Sequence, residues 1–466
     1  MNPDSGSAAH HRGLNKVISK LSTTEKGSSM VLFWALIVGA LTGFMGALFQ
    51  LALAQIATAK DMFFEFLEVT PGLPLISSII LSGVMVFIAF LLVRKLAPET
   101  GGSGVQEIEG GLEGLRPLRW KRVIPIKFFG GLLSLGSGMV MGREGPTIQI
   151  GGNIGKMISD IFKVSKIDTH ALVAAGAGGG LSAAFNAPLA GILFVIEEMR
   201  PEFKYNFLTV QAVIIASATA DIVLRLMVGQ QLAIPMNMLS TPPLPSLFLF
   251  LIFGCVFGVF GFFFNRLLVR TLNFFSNLTG WPFTLTGLIV GGIIGALVWY
   301  FPDAIGGGYV VIPKALSGSI PVMMLLLLFF IRFGTTMVSY GSGSIGGIFA
   351  PMLALGTLFG MWFGHFAHFL LPELVVQPEV FAVAGMAALF CATVRAPLTG
   401  IALTIEMTGN YLMILPLILT CFTATIVAQG LGGQPIYTVL LKRTLDLAKK
   451  SGQMLMPEKS NELEKS

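Results

Sequence analysis

Charged residues are scarce in this chain, and their scarcity excludes a water-soluble fold. Aspartate, glutamate, lysine and arginine make up only 12% of the 466 residues, whereas a soluble domain carries about 25%. Residues 30–50 and 75–93 hold no charge at all, and a run of about 20 apolar residues crosses a bilayer core. The alternating segments of a membrane β-barrel are also lacking. Because the backbone in lipid must bond to itself, the sequence predicts an all-α polytopic membrane protein.

Cysteines and the usual catalytic motifs are equally sparse. Cys255, Cys391 and Cys421 lie in apolar runs without disulfide or metal spacing, and we expect them to be small core residues. The chain has no H-E-x-x-H zinc signature and no G-x-x-x-x-G-K-[ST] phosphate loop. His365 and His368 could both touch one metal ion, although histidines at a membrane interface are the commoner case. We therefore predict neither metal nor cofactor, and an intramembrane enzyme is a remote alternative.

Basic residues are distributed unevenly among the loops. Lys16, Lys20 and Lys26 precede the first apolar run, the next loop holds one lysine and three acids, and the loop after that is rich in arginine and lysine. Cytoplasmic loops carry the excess of basic residues, so this alternation places the N-terminus in the cytoplasm. We assign the net charge of +6 to this orientation rather than to a nucleic-acid partner. Residues 1–29 and 442–466 are predicted to be cytoplasmic tails.

The two halves of the chain resemble each other. APLAGI at 187–192 returns as APLTGI at 396–401, and GREGPTIQIG at 142–151 aligns with GIFAPMLALG at 347–356. We predict two membrane repeats, 30–230 and 231–441, with about seven apolar segments each, an odd number that would invert one repeat relative to the other. Many segments are short and interrupted by some of the 56 glycines. Such broken, re-entrant helices point to a binding site at the midplane between repeats.

Two of the glycine-rich loops lead into apolar runs that start with proline. Pro146 and Pro351 are repeat mates, and proline is favoured at the first position of a helix. A helix start offers free N–H groups and a positive dipole end to an anion. Two such ends would form an anion site that contains no lysine or arginine. That suits transport, because conduction requires binding weak enough to release the ion.

A third glycine-rich loop, GGSG at 101–104, presents Ser103. Ser103 and Gln106 have the spacing of a capping box. One interpretation is that the Ser103 hydroxyl caps its own helix. The other is that it donates to the anion, and the spacing leaves both open.

Glu144 is an acid in the glycine-rich loop that precedes Pro146. A carboxylate at a helix start is stabilised by the dipole, so Glu144 could be a satisfied structural anion. It would also occupy the place that a transported anion needs, and an ionisable group in a membrane protein is a functional candidate. As a carboxylate it could block the path, and on protonation it could leave. Its repeat mate is Phe349, so the fold itself requires no acid there.

Two further acids follow each other at the end of the segment that starts at Pro188. Glu197 has Glu406 as its repeat mate, so both are predicted to be architectural. Glu198 has Met407 as its mate, and an unmatched acid is the better candidate for passing protons. An ion pair between Glu198 and nearby Arg200 is the alternative.

Four motifs carry a resemblance to a known family. The chain holds GGSG at 101–104, GREGP at 142–146, GGIFAP at 346–351 and the tyrosine of GQPIY at 433–437. In this combination and order it resembles the CLC family of chloride channels and proton-coupled chloride transporters, most of all the short bacterial antiporters. The resemblance implies a CLC-type fold of inverted repeats, a bacterial inner-membrane location and a homodimer with one pathway in each subunit.

The resemblance also implies roles for individual residues. Chloride would be bound by the hydroxyls of Ser103 and Tyr437 and by the amides of Ile348 and Phe349. Glu144 would be the gating glutamate. With these roles the chain would be a chloride transporter, in which chloride is the transported ligand and no cofactor is needed.

One acid separates the two activities of the family. Glu198 would be the internal proton glutamate, and this position is usually not acidic in passive channels. The chain is therefore expected to be a proton-coupled chloride antiporter, with a passive chloride channel of the same fold as the alternative. One departure is visible, because the first motif continues with Gln106 where the family usually has proline.

Overall fold

Helices account for almost all of the regular structure. The computed structural model describes residues 5–68, 72–199 and 207–450, with the backbone alone for 5–29, 282 and 450. The first half forms α1 (Ser5–Leu67), α2 (Leu73–Leu96), α3 (Val105–Leu112), α4 (Trp120–Gly136), α5 (Glu144–Ile161), α6 (Lys166–Phe185), α7 (Pro188–Glu197) and α8 (Phe207–Val228). The second half forms α9 (Leu247–Asn277), α10 (Gly280–Tyr300), α11 (Val311–Leu316), α12 (Val322–Gly341), α13 (Phe349–Leu370), α14 (Glu379–Val394), α15 (Pro397–Thr408), α16 (Ile414–Gly430) and α17 (Ile436–Lys450).

Eight helical segments within these ranges are long and apolar enough to cross a membrane. The first two, Met30–Leu67 and Leu73–Leu96, contain the uncharged runs seen in the sequence. The prediction of an all-α, multi-pass membrane protein is confirmed. The side chains of Lys16, Lys20 and Lys26 and the tail residues 451–466 lie outside the described residues, so the predicted tails and repeat boundaries stay predictions.

Several helices are too short to cross a bilayer. α3 has 8 residues, α7 has 10 and α15 has 12. At 1.5 Å per residue these are roughly 12–18 Å long, against a hydrocarbon core of about 30 Å. Each of these helices therefore spans only part of the hydrocarbon core, as the glycine-interrupted segments predicted.

Repeat-related glycines bring helices into direct backbone contact. A Cβ atom on Gly151 of α5 would collide with the carbonyl oxygen of Gly176 on α6. In the second repeat a Cβ on Gly356 of α13 would collide with the carbonyl oxygen of Gly385 on α14. Only glycine permits such close crossings, so the same packing is built twice.

Glu197 and Glu406 cap each other's helices. Glu197, the last residue of α7, accepts the N–H groups of the second and third residues of α15 at 3.0 and 2.7 Å. Glu406 in α15 accepts the two equivalent N–H groups of α7 at 2.9 and 2.8 Å. The prediction that both acids are architectural is confirmed. The two repeat-related helices run in opposite directions, as inverted repeats require.

The glycine crossings make a prediction about stability. Gly385→Ala should lower the melting temperature of the detergent-solubilised protein by several degrees, because overpacking costs about 1–3 kcal/mol. Gly334→Ala is the matched control, since Gly334 lies in α12 with open space around its Cβ position. Alanine improves helix propensity at both sites, so the control should melt at the wild-type temperature or above. Equal melting temperatures for the two variants would contradict a tight crossing.

Candidate anion-binding site

The three glycine-rich loops meet in the protein interior. Gly142 and Gly347, which are repeat mates, exchange two backbone hydrogen bonds of 2.9 and 2.7 Å in an antiparallel bridge. The N–H of Gly102 donates to Ser344 at 3.0 Å, and the N–H of Gly346 donates to Gly102 at 3.2 Å. The sequence predicted each loop but not their contact, and in the structure backbone hydrogen bonds join the three loops.

The helices after these loops start earlier than predicted. α5 begins at Glu144 and α13 at Phe349, so Pro146 and Pro351 are third residues and not first. The prediction was wrong by two positions because proline is tolerated throughout the first turn, where N–H groups have no intrahelical partner. The helix starts therefore include Glu144 itself.

Glu144 occupies the start of α13. Its carboxylate is fully buried, and Oε1 accepts the N–H of Phe349 at 2.8 Å and that of Ala350 at 3.4 Å. Its other oxygen has no hydrogen-bond partner among the described residues. Neighbouring Arg143 is directed elsewhere, since its Nε donates to Ala184 at 3.0 Å and its guanidinium stacks on the Tyr309 ring. The helix start predicted to attract an anion holds the chain's own carboxylate.

Ser103 does not cap its helix. α3 begins at Val105, its N-cap is Gly104 in the left-handed region at φ 85°, and no side chain caps it. Glycine adopts that conformation without strain, and it places Ser103 one residue too far from the first amides. The capping-box interpretation with Gln106 is wrong. The Ser103 hydroxyl is fully buried and has no hydrogen-bond partner within the described part of the chain.

Tyr437 provides a second unpaired hydroxyl. It lies in the first turn of α17, is fully buried, and its hydroxyl has no hydrogen-bond partner among residues that the structure describes. Its ring lies 5.7 Å from that of Phe349. A Cβ atom on Gly145 would lie 2.7 Å from the hydroxyl oxygen of Ser103, so Ser103 is in contact with the first turn of α5. Burying an unpaired hydroxyl is unfavourable, and a bound anion would satisfy both groups.

Glu198 lies at the end of α7, away from these groups in the chain. It is partly buried, and its N–H closes the helix by donating to Phe194 at 2.9 Å. The Phe194 ring, one turn earlier, packs edge-on against Phe349 at 5.7 Å. Arg200, the partner in the alternative interpretation, lies outside the described residues.

Sequence reasoning missed two residues of this region. The fully buried Lys127 donates from Nζ to the carbonyl oxygens of Thr100 and Gly102 at 2.9 and 2.8 Å. The Tyr340 hydroxyl accepts the N–H of Ser103 at 3.4 Å. Lys127 was detectable, because a charged residue inside an apolar helix is a functional candidate. Tyr340 carried no comparable signal.

Inverted repeats, broken helices and a buried carboxylate at a helix start define a multi-pass membrane transport protein. A family model described as Voltage gated chloride channel matches residues 85–429. The H(+)/Cl(-) exchange transporter ClcA of Vibrio parahaemolyticus serotype O3:K6 is 51% identical over 437 residues, which cover 93% of this chain and 92% of the relative. The chain belongs to the CLC family.

Further relatives agree with this membership. The H(+)/Cl(-) exchange transporter ClcA of Salmonella schwarzengrund is 48% identical over 434 residues, covering 92% of this chain and 91% of the relative. The crystal structure of a slow cyanobacterial Cl-/H+ antiporter has a TM-score of 0.87 and 44% identity, covering 89% of this chain and 98% of that one. A CLC-type fluoride/proton antiporter at 20% identity, covering 88% of this chain and 97% of that one, shares the fold with a TM-score of 0.72.

The unpaired hydroxyls make a prediction about anion affinity. Ser103→Ala should weaken chloride binding about ten-fold or more in isothermal titration calorimetry, because a hydrogen bond to a charged group contributes about 1.5–3 kcal/mol. Ser134→Ala is the matched control, since Ser134 is also a fully buried serine whose hydroxyl has no partner among the described residues. The control should bind chloride as the wild type does. An equal loss in both variants would mean that Ser103 does not contact the ion.

Proposed function

We propose that this protein exchanges chloride for protons across the membrane. The observation that carries the proposal is the buried Glu144 carboxylate bonded to the first amides of α13. Those amides are the groups that a helix start offers to an anion, so chloride and the carboxylate compete for one place. The names of the relatives, H(+)/Cl(-) exchange transporters, support the same activity.

Chloride is held by neutral donors in this proposal. The hydroxyls of Ser103 and Tyr437 donate to it, and the amides of Ile348 and Phe349 complete the site. The side chain of Lys127 fixes the loop that carries Ser103, through its hydrogen bond to the carbonyl oxygen of Gly102. Because the groups that donate to the ion are neutral, binding stays weak enough for release.

Protonation of Glu144 opens the path. A neutral carboxyl accepts the amide hydrogen bonds less strongly than a carboxylate and loses its attraction to the dipole of α13. It then leaves, and chloride takes its place. When chloride moves on, Glu144 gives its proton to one side and returns as a carboxylate. The binding step needs no cofactor, because the competition involves only chloride, a proton and groups of the chain.

Glu198 supplies the second proton site in the proposed mechanism. It exchanges protons with the cytoplasm, and it lies one turn from Phe194, which packs on Phe349 beside the anion site. An acid at this position supports exchange over the alternative of a passive chloride channel with the same fold. An intramembrane enzyme is a remote alternative, and a nucleophile or metal set beside Glu144 would be needed to favour it.

The proposed setting is a bacterial inner membrane, with both termini in the cytoplasm and two subunits in each assembly. The uneven distribution of basic loops supports the orientation. Repeat mates Leu189 and Leu398, on the adjoining helices α7 and α15, are both about half exposed. Exposed apolar side chains on adjoining helices support an interface here, because a two-fold interface buries the same patch of both subunits.

Proton coupling distinguishes exchange from conduction. In liposomes with an imposed chloride gradient, the wild type should drive protons uphill, and Glu198→Gln should abolish proton movement while chloride flux continues. Glu144→Ala should also lose coupling, because no carboxyl remains to carry the proton. Simultaneous chloride and pH recording makes the measurement, with Glu379→Gln as control for loss of a carboxylate elsewhere. Uphill proton transport by Glu198→Gln would refute the role of Glu198 as a proton site. Chloride flux through the wild type that does not respond to a pH gradient would identify a passive channel.

The proposed assembly is tested by mass. Light scattering coupled to size-exclusion chromatography should give a protein mass of twice the chain mass of 49.8 kDa, after subtraction of the detergent. A mass equal to one chain would contradict the dimer without affecting the transport proposal.

A further inference from the structure

A cavity of about 490 Å³ lies between α9 and the segment that joins α16 to α17, and none of its described lining residues belongs to the candidate anion site. Asn265, Arg266 and Arg270 line it on the side of α9. Gly433 and Gln434 line it on the other side. Arg266, Arg270 and Gln434 are all exposed, so the cavity opens on the protein surface.

Positive charge dominates this cavity. Arg266 and Arg270 lie one turn apart on α9, and neither forms a salt bridge with any described residue. A Cβ on Gly433 would lie 2.8 Å from Nη2 of Arg395, so a third guanidinium lies directly behind the cavity wall. That Nη2 is buried without a hydrogen-bond partner in the described part of the chain. The described lining contains no carboxylate, so the cavity is suited to an anion.

The depth of the cavity along α9 corresponds to lipid headgroups. Arg266 is 19 residues beyond Leu247, where α9 begins, which is about 29 Å along the helix at 1.5 Å per residue. The hydrocarbon core of a bilayer is about 30 Å thick. Phe263, one turn before Arg266, is 57% exposed, as expected for a side chain that faces lipid. The arginines therefore lie where a phospholipid phosphate would be.

Asn265 adds a polar group at the base of the cavity. It is 8% exposed, and its Nδ2 donates to the carbonyl oxygens of Thr393 and Gln434 at 3.0 and 3.2 Å. Its Oδ1 has no hydrogen-bond partner within the described residues. A buried, unpaired acceptor beside two arginines favours a ligand that combines an anionic phosphate with a hydroxyl donor.

We propose that this cavity binds an anionic phospholipid with a hydroxyl-bearing headgroup, of which phosphatidylglycerol is the example. Arg266 and Arg270 donate to the phosphodiester oxygens, which guanidinium groups recognise strongly, and Asn265 Oδ1 accepts a headgroup hydroxyl. The acyl chains lie along the exposed apolar face of α9. Basic pockets between membrane helices are known to bind lipid headgroups. This proposal is independent of the transport activity proposed above.

Native mass spectrometry of the full chain in detergent tests the proposal. The wild type should retain dioleoyl-phosphatidylglycerol at least ten-fold more tightly than dioleoyl-phosphatidylcholine. Arg266→Gln/Arg270→Gln should lose this preference. Lys95→Gln/Lys121→Gln removes the same charge from exposed residues outside the cavity and should bind as the wild type does. Equal retention of phosphatidylglycerol by the wild type and the arginine variant would overturn the proposal.

Two more measurements separate the possible sources of phosphate and exclude misfolding. Inorganic phosphate at millimolar concentration should not displace the lipid, and displacement would assign the cavity to a free anion instead. Phosphatidylglycerol should raise the melting temperature of the wild type and the lysine variant, because a ligand that binds only the folded state stabilises it. The arginine variant should melt as the lipid-free wild type does and should not respond. A response equal to that of the wild type would contradict the site.

Discussion

A helix that begins inside a membrane has backbone N–H groups in its first turn that lack partners within the helix. In this structure carboxylates from the opposite repeat accept hydrogen bonds from those groups. Glu197 caps α15, Glu406 caps α7 and Glu144 caps α13. Two of these caps are reciprocal, because repeat mates exchange them. The third is not, because the mate of Glu144 is Phe349, which cannot return a hydrogen bond to α5. The approximate symmetry of the fold is broken at the one cap that lies beside two unpaired hydroxyls.

This asymmetry explains why Glu144 is held less firmly than Glu197 and Glu406, although all three carboxylates accept hydrogen bonds at helix starts. Each oxygen of Glu197 and Glu406 accepts at least one hydrogen bond from the partner helix, so both oxygens are held. Only one oxygen of Glu144 is bonded, and no partner for the other lies among the described residues. A carboxylate held by one oxygen is more easily displaced than one held by two. The same interaction between an acid and a helix start therefore serves architecture in two places and a candidate gate in the third.

Much of this arrangement could be predicted from the sequence, because it depends on patterns that recur along the chain. The repeated APL motifs located the helices that Glu197 and Glu406 cap, and the glycine-rich loops predicted where broken helices meet. The details that failed depend on local backbone geometry. Gly104 takes the cap position that Ser103 was a candidate for, and proline in the first turn does not mark the first residue. Lys127 and Tyr340 are distant in sequence from the loops they support, and only the fold brings them together.

The glycine crossings restrict how the protein can move. Between α5 and α6, and again between α13 and α14, backbones touch without a layer of side chains between them. Side chains can yield to small displacements by changing rotamers, whereas backbone atoms in contact cannot. The helices that carry Glu144 and receive its hydrogen bonds are therefore each locked to a neighbour. Rotation about the bonds of the Glu144 side chain displaces its carboxylate without separating either pair of helices.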